Sequence, residues 1–85
     1  MKSLRAIFCF ADWDSNVSKK KDDFCNECRK YNIAFEMMNV DDNVEFTTRH
    51  SIKNVPAIVL LHDKKIIGIE KGNNGYKNIV KYLHK

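Results

Sequence analysis

The chain has 85 residues, of which 44% are hydrophobic and 31% are charged, a composition typical of one small globular domain. No apolar run approaches the ~20 residues that a membrane span needs, and Asp12 and Asp14 follow the N-terminus too soon for a secretory signal. We therefore expect a single domain over residues 1–85 that is cytoplasmic and does not bind the membrane.

The net charge of +4 would permit weak attraction to nucleic acid or to anionic lipid. The lysines are scattered along the chain, however, and aromatic residues are not interleaved with them as a base-stacking surface requires. We therefore expect no specific binding to nucleic acid. The three cysteines are an odd number outside a secretory context, so a disulfide framework is not expected.

Periodicity and turn residues predict four strands and three helices. In chain order these are a strand at 4–10, a helix at about 15–30, a strand at 33–40, a short helix at about 44–51, strands at 57–61 and 66–70, and a final helix after Gly72. The first strand is almost continuously apolar, which is typical of a strand buried on both faces. Asp14, Ser15 and Asn16 are all suitable N-caps for the first helix, because their short side chains can accept the free amide hydrogens of its first turn.

Residues spaced three, four or seven apart predict one buried face on the first helix and one on the last. These residues are Val17, Phe24, Cys28 and Tyr31 in the first helix, and Tyr76, Ile79 and Leu83 in the last. The second helix must end before Pro56, because a residue that precedes proline favours extended geometry. The first two strands should be parallel because a helix joins them, whereas the last two are close enough in sequence to form an antiparallel hairpin.

The elements follow the order β-α-β-α-β-β-α, and three short motifs accompany them: Asn39-Val40-Asp41, the segment 52–57, and Gly72 sixteen residues after Pro56. This order and these motifs resemble the thioredoxin family, whose N-[IV]-D, I-x-x-[IV]-P-T and following glycine they match in spacing. The resemblance covers nearly the whole chain, without the extra N-terminal strand and helix of full-length thioredoxins. It implies an α/β, thioredoxin-like fold with a four-stranded mixed sheet in the order 2-1-3-4, flanked by three helices. It also implies a cis Val55–Pro56 bond.

The resemblance is interrupted at the active site of the family. Thioredoxins carry W-A-x-W-C-x-x-C where this chain keeps the frame up to Trp13 and continues with Asp14, Ser15, Asn16 and Val17. Asp14 therefore stands in place of the attacking cysteine and Val17 in place of the resolving one, so neither position can form a thiolate. We predict that this degenerate loop holds no catalytic residue.

Two further positions agree with the loss of the thiols. Phe8 and Met37 stand where the family has a buried acid and the lysine that commonly pairs with it. A buried ionisable pair is costly to desolvate, so its apolar replacement is what a descendant without redox chemistry would be expected to show.

A different Cys-x-x-Cys is present at Cys25 and Cys28. It lies in the last turns of the first predicted helix, where the dipole disfavours an anion, whereas a reactive pair needs the helix N-terminus. We interpret Cys28 as a core residue and Cys25 as a residue at the border of the core. His50, His62 and His84 offer no paired ligand spacing, so neither a metal site nor a cofactor is expected.

Two classes of function remain open. The first hypothesis is a redox-inactive, monomeric interaction module, in which a groove takes an extended peptide or a protein partner by strand-like pairing, as the resemblance permits. The predicted partner-binding residues are Trp13, Asp14, Val55, Pro56, Ala57 and Gly72. Trp13 has an alternative role in packing against its own loop. The alternative function is a thiol-disulfide oxidoreductase, or a redox sensor, that works through Cys25 and Cys28.

Overall fold

The computed structural model describes residues 4–14, 16–52, 54–72 and 74–84. The elements are β1 (Leu4–Phe10), α1 (Val17–Lys30), β2 (Ala34–Asn39), a 3-10 turn (Val40–Asp42), α2 (Val44–Arg49), β3 (Ala57–His62), β4 (Lys65–Lys71) and a C-terminal 3-10 helix (Gly75–His84). Within these ranges, no helix combines the length and the apolar character that crossing a membrane requires.

The four strands form one mixed sheet in the order β2-β1-β3-β4, as predicted. β1 is parallel to β2 and antiparallel to β3, and β3 is antiparallel to β4. The C-terminal ends of β1, β2 and β4 therefore lie at the same end of the sheet as the N-terminal end of β3. We call this end of the sheet the site end, because the loops that carry the motifs of the family resemblance lie there.

Alternate residues of β1 belong to two hydrophobic clusters, one on each face of the sheet. Phe8 lies in the first core cluster with Phe24 of α1 and Ile79 of the C-terminal helix. Cys9 lies in the second core cluster, against which Phe46 of α2 packs. The first and third helices therefore cover one face and α2 covers the other. Because β1 is buried on both sides, its continuous apolar run is explained.

The first helix begins at Val17, with Asn16 as its N-cap residue. The Asn16 side chain makes no capping hydrogen bond, so the predicted capping by a short polar side chain is not observed there. Asp14 is not the N-cap either, and Ser15 lies outside the described residues. The predicted apolar stripe of α1 is confirmed: Phe24 and Cys28 are buried, and Val17 and Tyr31 pack against the same cluster.

The final helix is a 3-10 helix over all ten of its residues. Its predicted core residues are confirmed, since Ile79 is fully buried and Tyr76 and Leu83 pack against the first core cluster. Tyr82 packs there as well, although the expected α-helical spacing did not include it. A 3-10 helix has three residues per turn, so Tyr76, Ile79 and Tyr82 share one face, and this spacing of apolar anchors fits the tighter helix.

Candidate functional site

Sheet pairing brings the predicted partner-binding residues together at the site end. Cys9 pairs with Ala57 and Ala57 pairs with Lys71, so the segments that follow β1 and β4 lie on either side of the start of β3. The Val55–Pro56 peptide bond is cis, as the resemblance implied. The Gly72 N–H donates a 3.0 Å hydrogen bond to the Pro56 carbonyl oxygen, which joins the segment after β4 to the segment before β3.

Gly72 is required at this site for its backbone conformation. Its φ of +95° is in the region that favours glycine, and a Cβ added there would meet no atom within 4 Å. Val55 is half-buried, and Pro56 and Ala57 are buried. The accessible part of this side of the site is therefore the Val55 side chain and the exposed Gly72, whose N–H and carbonyl oxygen are both hydrogen-bonded within the chain.

Trp13 is the most exposed large hydrophobic side chain of the described chain, at 73% of its surface. Its neighbours are anchored: Asp12 accepts a 3.0 Å hydrogen bond from the Asn39 Nδ2, and the Asp14 N–H donates to the Ala11 carbonyl oxygen at 3.1 Å. The alternative role of Trp13, partial packing against its own loop, accounts for little of its surface, since 73% of that surface is exposed. The backbone on both sides of Trp13 is fixed while the indole faces solvent.

Asp14 forms an ion pair with Lys20 of α1. The Lys20 Nζ lies 2.8 Å from the Asp14 Oδ1 and 2.9 Å from its Oδ2, and the Asp14 side chain is only 10% exposed. The hydrogen bond from Lys20 is the main cause that lowers the pKa of Asp14, and a 3.3 Å hydrogen bond from the Asn16 N–H acts in the same direction. Asp14 is therefore an anion that is already paired. Little of its side chain is accessible to a partner.

The positions that correspond to the family's acid and lysine are neighbours in this sheet. Phe8 and Met37 pair in register between β1 and β2. Phe8 is buried, and its ring centroid lies 5.1 Å from that of Phe24. Phe8 therefore packs in the core whereas Met37 is exposed, and neither side chain has a proton to exchange.

The chain superposes on solved thioredoxin structures. The Fasciola hepatica thioredoxin is 21% identical with a TM-score of 0.80, over 95% of this chain and 79% of that one. The malaria parasite thioredoxin-2 is 16% identical with a TM-score of 0.79, over 98% and 82% of the two chains. The Chlamydomonas reinhardtii thioredoxin f2 is 17% identical with a TM-score of 0.80, over 99% and 80%. The fold is thioredoxin-like.

No protein-family model and no curated protein matches the sequence. At these identities, the likeness to thioredoxins shows the fold alone. In this thioredoxin-like fold, the start of α1 carries the paired carboxylate of Asp14 and the half-buried Val17. Neither side chain can attack a disulfide.

The three cysteines of the thioredoxin-like chain are free thiols that lie elsewhere. Burial raises the pKa of Cys9 to about 11, and burial, with Cys25 and Glu27 adding to it, raises that of Cys28 to about 12. The pKa of Cys25 is also raised, mainly by its partial burial, although Arg29 opposes the shift. Among the described residues, no three histidine, cysteine or acidic side chains are grouped as metal ligands would be.

Two residues with roles at this site were not predicted. Lys20 of α1 pairs with Asp14, which lies six positions earlier in the sequence and before the helix. The pair therefore lacks the i, i+3 or i, i+4 spacing that indicates an ion pair within a helix. Asn39 was noticed only as part of a motif, yet it holds Asp12 across a separation of 27 residues. The sequence did offer one signal for Asn39: it is a polar residue at the end of β2, and that end of the strand lies at the site end.

Proposed function

We propose that this thioredoxin-like chain is a redox-inactive interaction module that binds a protein or peptide partner at the site end of its sheet. It is expected to act in the cytoplasm. The observation that carries the proposal is the Asp14–Lys20 ion pair, which occupies the start of α1 where thiol chemistry would need a cysteine. Disulfide exchange requires a thiolate as the attacking group, and a carboxylate cannot replace it.

Partner binding is supported by the exposed Trp13 and its fixed backbone. Tryptophan is enriched among the residues that dominate binding energy at interfaces, because it buries a large surface with little loss of conformational freedom. At the same end of the sheet, the half-buried Val55 precedes β3 at the cis Val55–Pro56 bond, and an extended partner chain would pair there as strands pair. The malaria parasite thioredoxin-2 with the same fold is described as a component of a protein secretion machinery, so membership of an assembly has a precedent.

The rival function, disulfide exchange through Cys25 and Cys28, has weaker support. Both residues lie in the second half of α1, and their raised pKa values leave little thiolate at neutral pH. Cys28 is fully buried in the first core cluster, so a substrate disulfide would reach it only after local unfolding. We therefore assign these two cysteines to packing.

The proposal is tested by insulin reduction in the presence of dithiothreitol. The wild-type chain and the Cys25→Ser variant should both leave the rate at that of dithiothreitol alone. The double variant Asp14→Cys/Val17→Cys places one thiol before α1, beside the freed Lys20, and one at the first residue of α1, and it should accelerate the reaction. A thiol with a pKa near 7 at such a position has roughly tenfold more thiolate at neutral pH than an ordinary cysteine.

Acceleration by the double variant would also show that the assay can detect disulfide exchange by a chain with this fold. Reduction of insulin by the wild-type chain, abolished by Cys25→Ser, would overturn the proposal and support the rival function.

A further inference from the structure

Two exposed apolar side chains, Trp13 and Val44, each follow a residue that is hydrogen-bonded to Asn39. Trp13 is 73% exposed and Val44 is 62% exposed. The exposed Met37 lies apart from Val44, because it pairs with Phe8 on the face that α1 covers, whereas α2 covers the other face. Trp13 follows Asp12, whose carboxylate accepts from the Asn39 side chain, and Val44 follows Asn43, whose side chain donates to the Asn39 carbonyl oxygen at 2.8 Å. We call this surface, with its acidic neighbours, the Asn39 corner.

The hydrogen bonds of Asn39 fix this corner before any partner binds. The Asn39 Oδ1 accepts from the Asp41 N–H at 2.9 Å, and its Nδ2 donates to Asp12 at 3.0 Å. One side chain therefore joins the loop after β1 to the 3-10 turn after β2. A preformed surface loses less conformational entropy on binding, so its exposed apolar groups contribute more of their burial to affinity.

The charge of the Asn39 corner is opposite to that of the chain. The chain has a net charge of +4, yet residues 31–48 contain four acids and no lysine, arginine or histidine. Asp12, Asp41 and Asp42 are exposed, and the exposed Glu45 pairs with Arg49 at 3.2 Å. Negative charge beside apolar side chains attracts cations and repels phosphate groups, so this corner is unsuited to nucleic acid and to anionic lipid.

We propose that the Asn39 corner docks a basic segment of a partner protein, in which lysine or arginine side chains alternate with apolar ones. This inference rests on the proposed function and names the chemistry of the partner. The apolar side chains of the segment contact Trp13 and Val44, while its cations lie near Asp12, Asp41 and Asp42. A lysine or arginine can also lie over the face of the Trp13 indole, where the ring attracts a cation.

The first experiment selects ligands without assuming their sequence. A library of random twelve-residue peptides displayed on phage is selected on the wild-type chain, after depletion on the Trp13→Ala variant. Recovered peptides enriched in lysine or arginine together with apolar residues support the inference. Neutral or acidic peptides that need Trp13 would overturn it and leave the proposed function standing. Recovery of no peptide that needs Trp13 would overturn both.

The second experiment tests whether the acidic residues of the Asn39 corner attract the peptide. Trp13 is the single tryptophan of the chain, so its fluorescence reports the binding of a tryptophan-free peptide at this corner. The Asp41→Lys/Asp42→Lys variant should bind the best recovered peptide at least about fivefold more weakly, and added salt should reduce that difference. The control Asp22→Lys/Asp23→Lys changes the net charge equally on α1 and should alter binding less than about twofold. Equal weakening of peptide binding by both variants would overturn the inference, because the change in net charge would then explain the loss of affinity.

Discussion

Asp14 shows how a single residue changes the chemistry of a helix start. The N-terminus of a helix favours negative charge, and this property would stabilise the thiolate of a cysteine placed there. Here the anion is a carboxylate, and Lys20 neutralises it at 2.8 Å. The same electrostatic environment therefore contributes to the local structure and leaves no nucleophile.

Cys25 and Cys28 differ in burial, and we expect their substitutions to differ in the same way. Cys28→Ser places a hydroxyl group in the first core cluster, where Cys28 is fully buried, and should lower the free energy of unfolding by about 1–2 kcal/mol. Cys25→Ser, at a half-buried position, should change it by less than about 0.5 kcal/mol.

Urea denaturation of the two variants and the wild-type chain measures both values. Equal effects of the two substitutions would show that Cys28 is not the core residue described here.

At the scale of elements, the C-terminal 3-10 helix is fastened to β4 by polar contacts. The Tyr82 hydroxyl donates to the Glu70 Oε2 at 2.5 Å, and the Asn78 Nδ2 donates to the Oε1 of the same carboxylate at 2.8 Å. Burial, reinforced by Glu70, raises the pKa of Tyr82 to about 12. The absence of a side chain at Gly68 makes room for the Tyr82 ring over the strand.

Gly68→Ala tests this close approach. A Cβ at Gly68 would overlap the Tyr82 ring, so the substitution should lower the free energy of unfolding by about 1–3 kcal/mol. In the Tyr82→Ala background the overlap is gone, and the same substitution should cost at least about 1 kcal/mol less.

Gly72→Ala is the control for that cycle, because a Cβ at Gly72 meets no neighbour within 4 Å. It should lower stability by about 1 kcal/mol through backbone strain alone, and equally with or without Tyr82→Ala. If Gly68→Ala and Gly72→Ala both behave additively with Tyr82→Ala, the close contact does not exist.

For the whole molecule, the hydrophobic pattern and the chain order predicted the strands and two of their pairings, and the family resemblance supplied the strand order 2-1-3-4. The apolar run of β1 predicted a central strand, and the helix between β1 and β2 predicted their parallel pairing. The third helix was placed correctly, although its 3-10 geometry was not foreseen, because spacings of three and four residues are compatible with both kinds of helix.

The candidate site was predicted less completely than the fold. Motif position indicated Trp13, Asp14 and Gly72, and the structure brings their segments to one end of the sheet. The roles of Lys20 and Asn39 were missed, because each depends on a side-chain contact that the local sequence does not specify. Of the three N-cap candidates, Asn16 is the N-cap residue of α1 and Asp14 is not, because the chain makes a further turn before that helix begins at Val17.

The central claim, that this thioredoxin-like chain carries no thiol poised for exchange, is tested most directly by alkylation with iodoacetamide between pH 6 and pH 11. Mass spectrometry of peptides gives the rate for each cysteine, and the chain unfolded in guanidinium gives the rates without structure. Because the pKa values of Cys9, Cys25 and Cys28 are all raised, thiolate should be scarce at pH 7 and increase with pH beyond the range of an ordinary cysteine.

We therefore expect slow modification of the folded chain at pH 7, with Cys25 reacting first and every rate still rising above pH 9. A rate for Cys25 or Cys28 that reaches its plateau below pH 7 would contradict the claim, because that thiol would be ionised under the conditions in which disulfide exchange operates.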